Sequence, residues 1–196
     1  MREFSQTQAD RHNALTRTGW AIATNHLILA GQIPTSPPGW YARWQLGRAI
    51  TCFERALTIN PEGWSSMWGL GKIYQRLAQH DKAFDWFARA HTLNPDQPDV
   101  AREAGLEALD IGRAEEAIAL CHAAVASSPK DPGLVCNLAL AYCLAGHDEE
   151  ALTYAAEAAG RDPSDGISAQ MLVFIRSVAA GTRPRPKRLC EAFPYG

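Results

Sequence analysis

Pro61, Pro95, Pro129 and Pro163 stand 34 residues apart three times in succession, and three of them follow Asn60, Asn94 and Asp162. A fixed period of this length marks a chain made of one repeated supersecondary unit, each copy burying its apolar face on its neighbours. The columns between the prolines agree with the period. Trp64 to Pro95 carries Met67, Leu70, Gly71, Tyr74, Ala83, Phe87 and Ala90. The next unit places Ala101, Ala104, Gly105, Ala108, Ala117, Cys121 and Ala124 in register, and the third places Val135, Leu138, Ala139, Tyr142, Ala151, Ala155 and Ala158.

The pattern has a physical reading. Gly71, Gly105 and Ala139 fall on a first helix, and Ala83, Ala117 and Ala151 on a second, so the two backbones can approach to ridges-into-grooves distance. Met67, Leu70, Tyr74 and Leu77 recur at spacings of three and four, the stripe of an amphipathic helix, and Phe84, Phe87 and Leu93 continue it on the partner helix. Each proline ends a second helix by removing a donor and restricting the residue before it. Gly112 and Gly146 fit left-handed closures of first helices. Asp81 and Asp148 are expected to cap the helices that follow, and Asp131-Pro132 reads as a cap with a first-turn proline.

These columns and their closing prolines resemble the tetratricopeptide repeat family, whose unit is a helix, a tight turn and an antiparallel helix. The resemblance implies an all-α fold, a right-handed α-solenoid of antiparallel helix pairs. Regular repeats are expected over residues 64–97, 98–131 and 132–165. Residues 7–61 read as a variant first hairpin: Ala49, Phe53, Ala56 and Pro61 fit second-helix columns, while the preceding helix, from Thr7 to Gly31 with Leu15, Gly19, Trp20 and Ile22, is too long for the standard unit. The loop Ile33 to Pro38 joins the two. Residues 166–181 are expected to form a capping helix, beginning near Ser164 and packing through Ala169, Leu172 and Val173, because a terminal repeat needs its apolar face covered. All of this is read as one domain, residues 1–181, followed by a basic, proline-containing tail, extended or disordered, over residues 182–196.

Composition narrows the function. The chain has 196 residues and a formal net charge of −2, with no basic leader before an uninterrupted apolar segment and no stretch long enough to span a bilayer. A soluble, cytoplasmic protein with no membrane partner is the expectation. Charge is unevenly placed: residues 98–163 hold four basic and twelve acidic residues, an acidic band suited either to solvation or to steering a basic partner. Five cysteines, at positions 52, 121, 136, 143 and 190, lack metal-knuckle spacing and read as reduced thiols. The six histidines include no two-histidine helical motif, Cys121 and His122 point about 100° apart on a helix, and Trp68-Gly69-Leu70-Gly71 falls inside a helix, not in a phosphate loop. No enzyme, cofactor or metal site is expected.

The family resemblance implies that the first helices line a concave groove. The positions left free of packing there are Trp68, Lys72, Gln75 and Arg76; Asp99, Arg102, Leu106 and Leu109; Cys136, Asn137, Leu140 and Cys143; and Gln170, Met171 and Phe174 on the cap. A peptide with a charged end and an apolar end would match this surface, with Trp68 and Arg102 as anchors. Each apolar position has a second reading, packing on a neighbouring helix. Relatives that grip a chaperone's terminal carboxylate use lysine, asparagine and arginine; Lys72, Asn137 and Arg102 have those types but not that distribution among repeats. Leu189, Ala192, Phe193 and Tyr195, after the basic run Arg183 to Arg188, can fold back into the groove of this molecule or of a second copy. Those basic residues alternate with proline and form no folded basic face, so nucleic acid is not the expected partner. The chain reads as an interaction scaffold or adaptor, and alternatively as a dedicated chaperone or inhibitor of one bacterial client, resembling secretion chaperones or toxin-neutralising proteins.

Overall fold

The computed structural model describes residues 5–27, 36–161 and 166–192, all helices and turns with no strand among them. Asp162 and Pro163, Ser164, Gly31, the loop residues Ile33, Pro34 and Thr35, and the terminal Phe193 and Tyr195 lie outside these residues. The chain is an all-α protein of successive helix pairs and divides into two compact units, residues 1–94 and 95–196.

The first unit holds α1 (Gln6–Ala23), α2 (Trp40–Ile59), α3 (Trp64–Arg76) and α4 (His80–Leu93). A capping box starts α1: the Gln8 amide donates to Ser5 Oγ (3.3 Å) and the Ser5 amide to Gln8 Oε1 (3.0 Å). The helix stops at Ala23, short of the expected run to Gly31, and tightens into a 3-10 turn over Thr24–His26, where three poor helix formers follow one another. Helices α1 and α2 pack as one pair, α3 and α4 as another, with α3 also against α1 and α2.

At the centre sits Phe53, fully buried. A Cβ built on Gly19 of α1 would lie 2.7 Å from its ring, and one on Gly69 of α3 2.5 Å from it, so both helices reach this ring only because they carry no side chain there. Gly71 stands in the same relation to Phe87, at 2.5 Å. Trp20 meets Phe53 edge-on (5.4 Å between centroids) and Trp68 at a tilt (5.7 Å), and Trp64 stacks on Trp68 (6.3 Å). All six tryptophans of the chain fall in this unit.

The second unit holds α5 (Pro98–Asp110), α6 (Ala114–Ser127), α7 (Pro132–Ala145), α8 (Asp148–Arg161), α9 (Gly166–Ala179) and a short α10 (Leu189–Ala192). The small-residue columns are buried as the period predicts: Ala101, Ala104, Ala108, Ala117, Cys121 and Ala124, then Val135, Leu138, Ala139, Ala151, Ala155 and Ala158. Tyr142 departs from that column by staying half exposed. It stacks on Tyr154 (5.5 Å) and pairs with His122 Nε2 (2.8 Å), tying α7 to α8 and α6. Burial, then Tyr154, Glu150 and Glu115, push its phenol above the ordinary value.

Asp131 caps α7 as expected, its Oδ1 accepting from the Gly133 amide at 2.8 Å with Pro132 next in line. The other two predicted caps are displaced. Gln79 precedes α4 and Asp81 lies inside its first turn, while Asp148 is the first residue of α8; their carboxylates favour the helix dipole from within. A second correction concerns α9. Ala169 and Val173 are exposed and Leu172 half-buried, whereas Ser168, Met171, Ile175 and Val178 are buried, a packing face rotated from the predicted one. Five consecutive apolar residues, Met171 to Ile175, satisfy either rotation, so periodicity alone cannot select it.

Equivalent turns close the three regular first helices at Ala78 (φ 55°), Gly112 (φ 78°) and Gly146 (φ 93°), again 34 residues apart. The first pays a steric penalty that glycine avoids. Ala78→Gly should therefore stabilise the chain by about 0.5–1 kcal/mol and Gly112→Ala destabilise it by about 1 kcal/mol. Shifts of opposite sign in urea midpoints check this, and equal signs would refute it.

Candidate partner-binding site

The predicted groove positions separate into two classes. In the first unit Trp68, Lys72, Gln75 and Arg76 are all half-buried. Trp68 sits in the tryptophan cluster with its indole N–H buried and without a partner. Lys72 Nζ donates to Gln75 Oε1. Arg76 donates to the carbonyls of His26 (3.2 Å) and Ser36 (3.0 Å), so this guanidinium clamps both ends of the segment joining α1 to α2. In the second unit Asp99 and Gln170 are exposed, and Arg102, Leu106 and Asn137 half-buried. Arg102 is paired with Asp99 (2.9 Å) and Glu103 (3.2 Å).

Leu109, Cys136, Leu140, Cys143, Met171 and Phe174 are buried and serve packing. The reason is local to α7, which contacts α5, α6, α8 and α9 and is apolar around nearly its whole circumference. A helix enclosed on four sides has little face left for a ligand. Cys136 Sγ donates to Ser168 Oγ across the α7 to α9 contact (3.3 Å).

Residues 182–192 lie against α9, the end of α7, the start of α8, the turn after α5, and α5 itself. Gly181 (φ 70°) ends α9, and Thr182 Oγ1 donates back to the Ser177 carbonyl at 2.9 Å. Arg183 then spreads over the Phe174 ring (4.8 Å). Arg185 Nη1 donates to the Cys143 carbonyl at the end of α7, and its Nη2 to both Asp148 oxygens at 2.9 Å. Pro186 is buried, the Lys187 carbonyl lies beside Gly112, and α10 packs on α5. Along this strap Pro184 and Pro186 disfavour helical backbone at Arg183 and Arg185, and residues 182–188 are not helical. Of the apolar tail residues expected to fold back, Ala192 is buried and Leu189 half-buried, while Phe193 and Tyr195 lie outside the described residues; no local sequence pattern marks Arg185 as an anchor.

Other features carried a weaker signal. Trp40 is 81% exposed, beside exposed Tyr41 and Trp44 on the first turns of α2, with Arg48 over the Trp44 ring (5.1 Å). The i, i+4 tryptophan pair outside the packing columns was the available clue. Glu103 and Glu107, one turn apart on α5, are buried carboxylates that no column predicts.

Cys121 and His122 do not form a nucleophile and base. Burial pushes the Cys121 thiol up to about 12, and His122 turns to Tyr142. Burial, only partly opposed by Arg185, pushes Cys143 up to about 11. Thiolate is the reactive form. At pH 8 a thiol reagent should modify exposed Cys190 rapidly, half-buried Cys52 slowly, and Cys121 and Cys143 only after denaturation. Peptide mass mapping over time checks the order, and early labelling of Cys121 would contradict it.

No helix of the described residues is long and apolar enough to cross a membrane. Two family models, each described as a tetratricopeptide repeat, match residues 41–98 and 108–173. No curated protein matches the sequence. Among solved structures, MamA superposes with a TM-score of 0.68 at 16% identity, covering 93% of this chain and 88% of that one. YrrB, described as a TPR protein with an unusual peptide-binding site, gives 0.63 at 18% identity over 79% and 81%. The first TPR of Spaghetti (RPAP3), bound to the HSP90 peptide SRMEEVD, gives 0.54 at 17% identity over 60% and 93%. At these identities the likeness is one of fold.

Proposed function

The chain belongs to the tetratricopeptide repeat family, and from that premise we propose that it is a non-catalytic interaction module whose first helices receive an extended segment of a partner protein. One observation carries this reading: a non-helical segment of the chain itself, residues 182–188, already rests on α9, the end of α7, the start of α8 and the turn after α5. The described peptide-binding site of YrrB and the peptide held by the Spaghetti repeat support the same use of the fold. Of the positions predicted from sequence, Asp99, Arg102, Leu106, Asn137 and Gln170 keep exposed or half-exposed side chains in the second unit and are the contacts proposed there. Trp68, Lys72 and Gln75 are the corresponding proposal in the first unit, considered by itself.

Selection of binders from a random peptide library, followed by photo-crosslinking, tests the face. Crosslinks should fall on α5, α7 and α9, and Arg102→Ala with Asn137→Ala should weaken the selected peptides at least tenfold while leaving thermal stability within a few degrees. Crosslinks confined to the outer sides of α6 and α8 would overturn the assignment.

A further inference from the structure

The strap identifies the chemistry of the ligand that this face accepts. We infer that residues 182–192 are a resident occupant of the edge of the second unit formed by α9, the α7 to α8 turn and the turn after α5, displaced by a partner segment of the same kind: arginines alternating with proline, followed by an apolar residue. This rests on the reading of that face as a peptide-binding surface.

Three contacts define the recognition. Phe174 offers its ring to a guanidinium, and that contact strengthens as water is excluded. The Cys143 carbonyl and the Asp148 carboxylate together accept three hydrogen bonds from the two terminal nitrogens of a single arginine, a planar span that the single nitrogen of a lysine does not match. Alternate prolines remove backbone donors that the surface does not pair and keep the segment extended before it binds, which lowers the entropy lost on docking. Charge agrees with the geometry. Arg183, Arg185, Lys187 and Arg188 carry no acid among them, while residues 98–163 hold twelve acidic and four basic residues. The apolar end is set by α10, whose Ala192 is buried where α10 meets α5.

An occupant joined covalently competes at an effective concentration on the order of millimolar. A free segment that binds the bare face with a Kd of about 10–100 μM is then weakened by roughly 10- to 100-fold in the intact chain. The strap thus sets a threshold: only a partner that presents the segment at high local concentration, or extends it with further contacts, gains the site.

The test uses a fluorescent synthetic peptide of residues 181–196 and the chain lacking residues 182–196. Anisotropy should show binding to the shortened chain at least tenfold tighter than to the full chain. Arg185→Glu in the peptide, or Asp148→Arg in the shortened chain, should each abolish at least nine-tenths of the affinity, and combining the two should restore part of it. Should the shortened chain fail to fold by circular dichroism, the full chain with Arg183→Ala and Arg185→Ala takes its place and should bind the unaltered peptide at least tenfold better than the parent. A folded shortened chain that ignores the peptide, an Asp148→Arg variant that binds it equally well, or no gain in the double variant would each overturn the inference. Library peptides still crosslinking to α5, α7 and α9 in that event would leave the broader functional reading standing; loss of both would remove it too.

Discussion

Phe53→Ala is expected to cost about 3–5 kcal/mol, the range for emptying the space of a fully buried phenyl ring. The ring is gripped by α1 and α3 through Gly19 and Gly69, which sit too close to admit a neighbour able to relax into the void. The converse change should also be severe: Gly69→Val would force a branched side chain where even a Cβ lies 2.5 Å from the ring, an overpacking cost of about 1–3 kcal/mol that outweighs the gain in helix propensity. The two sites are therefore coupled. Gly69→Ala should be markedly better tolerated with Phe53→Leu than in the parent, giving a coupling of about 1 kcal/mol or more in urea denaturation followed by circular dichroism. Effects that add to within about 0.5 kcal/mol would show that the close approach does not control this hairpin.

Ile175→Asp is the second large effect. Ile175 is fully buried on the face by which α9 covers the preceding hairpin, and α9 packs on both α7 and α8. A carboxylate placed at this fully buried position must either neutralise or expel the helix, at a cost of about 3–5 kcal/mol. That is a large share of the roughly 5–15 kcal/mol that holds an ordinary domain together. Val173→Asp, two residues away at a position 66% exposed, should change stability by less than about 0.5 kcal/mol. Thermal unfolding of the pair separates them. Equal loss in both variants would mean that the cap packs through the rotation first expected from the sequence.

The contrast between these residues explains what the sequence could reveal. Repeated columns such as Gly71, Gly105 and Ala139 announce the helix pairing because small residues at a 34-residue interval have few other uses. Helix α9 has no following partner to repeat, and its apolar run from Met171 to Ile175 fits more than one face. The same ambiguity hid the burial of Leu140, Cys143 and Phe174: an apolar side chain on a first helix reads equally as groove or as core until the number of surrounding helices is known. Arg76 illustrates a different limit. Its carbonyl partners, His26 and Ser36, are 50 and 40 residues away, and no local pattern encodes a contact at that separation.

The aromatic inventory gives the two units separate optical identities. Trp20, Trp40, Trp44, Trp64, Trp68 and Trp86 all precede residue 95, whereas the second unit has tyrosine and phenylalanine alone. Indole emission from the unlabelled chain consequently monitors one half of the molecule, and a melt recorded at that wavelength beside one recorded at the peptide band tells whether the halves come apart together or in turn.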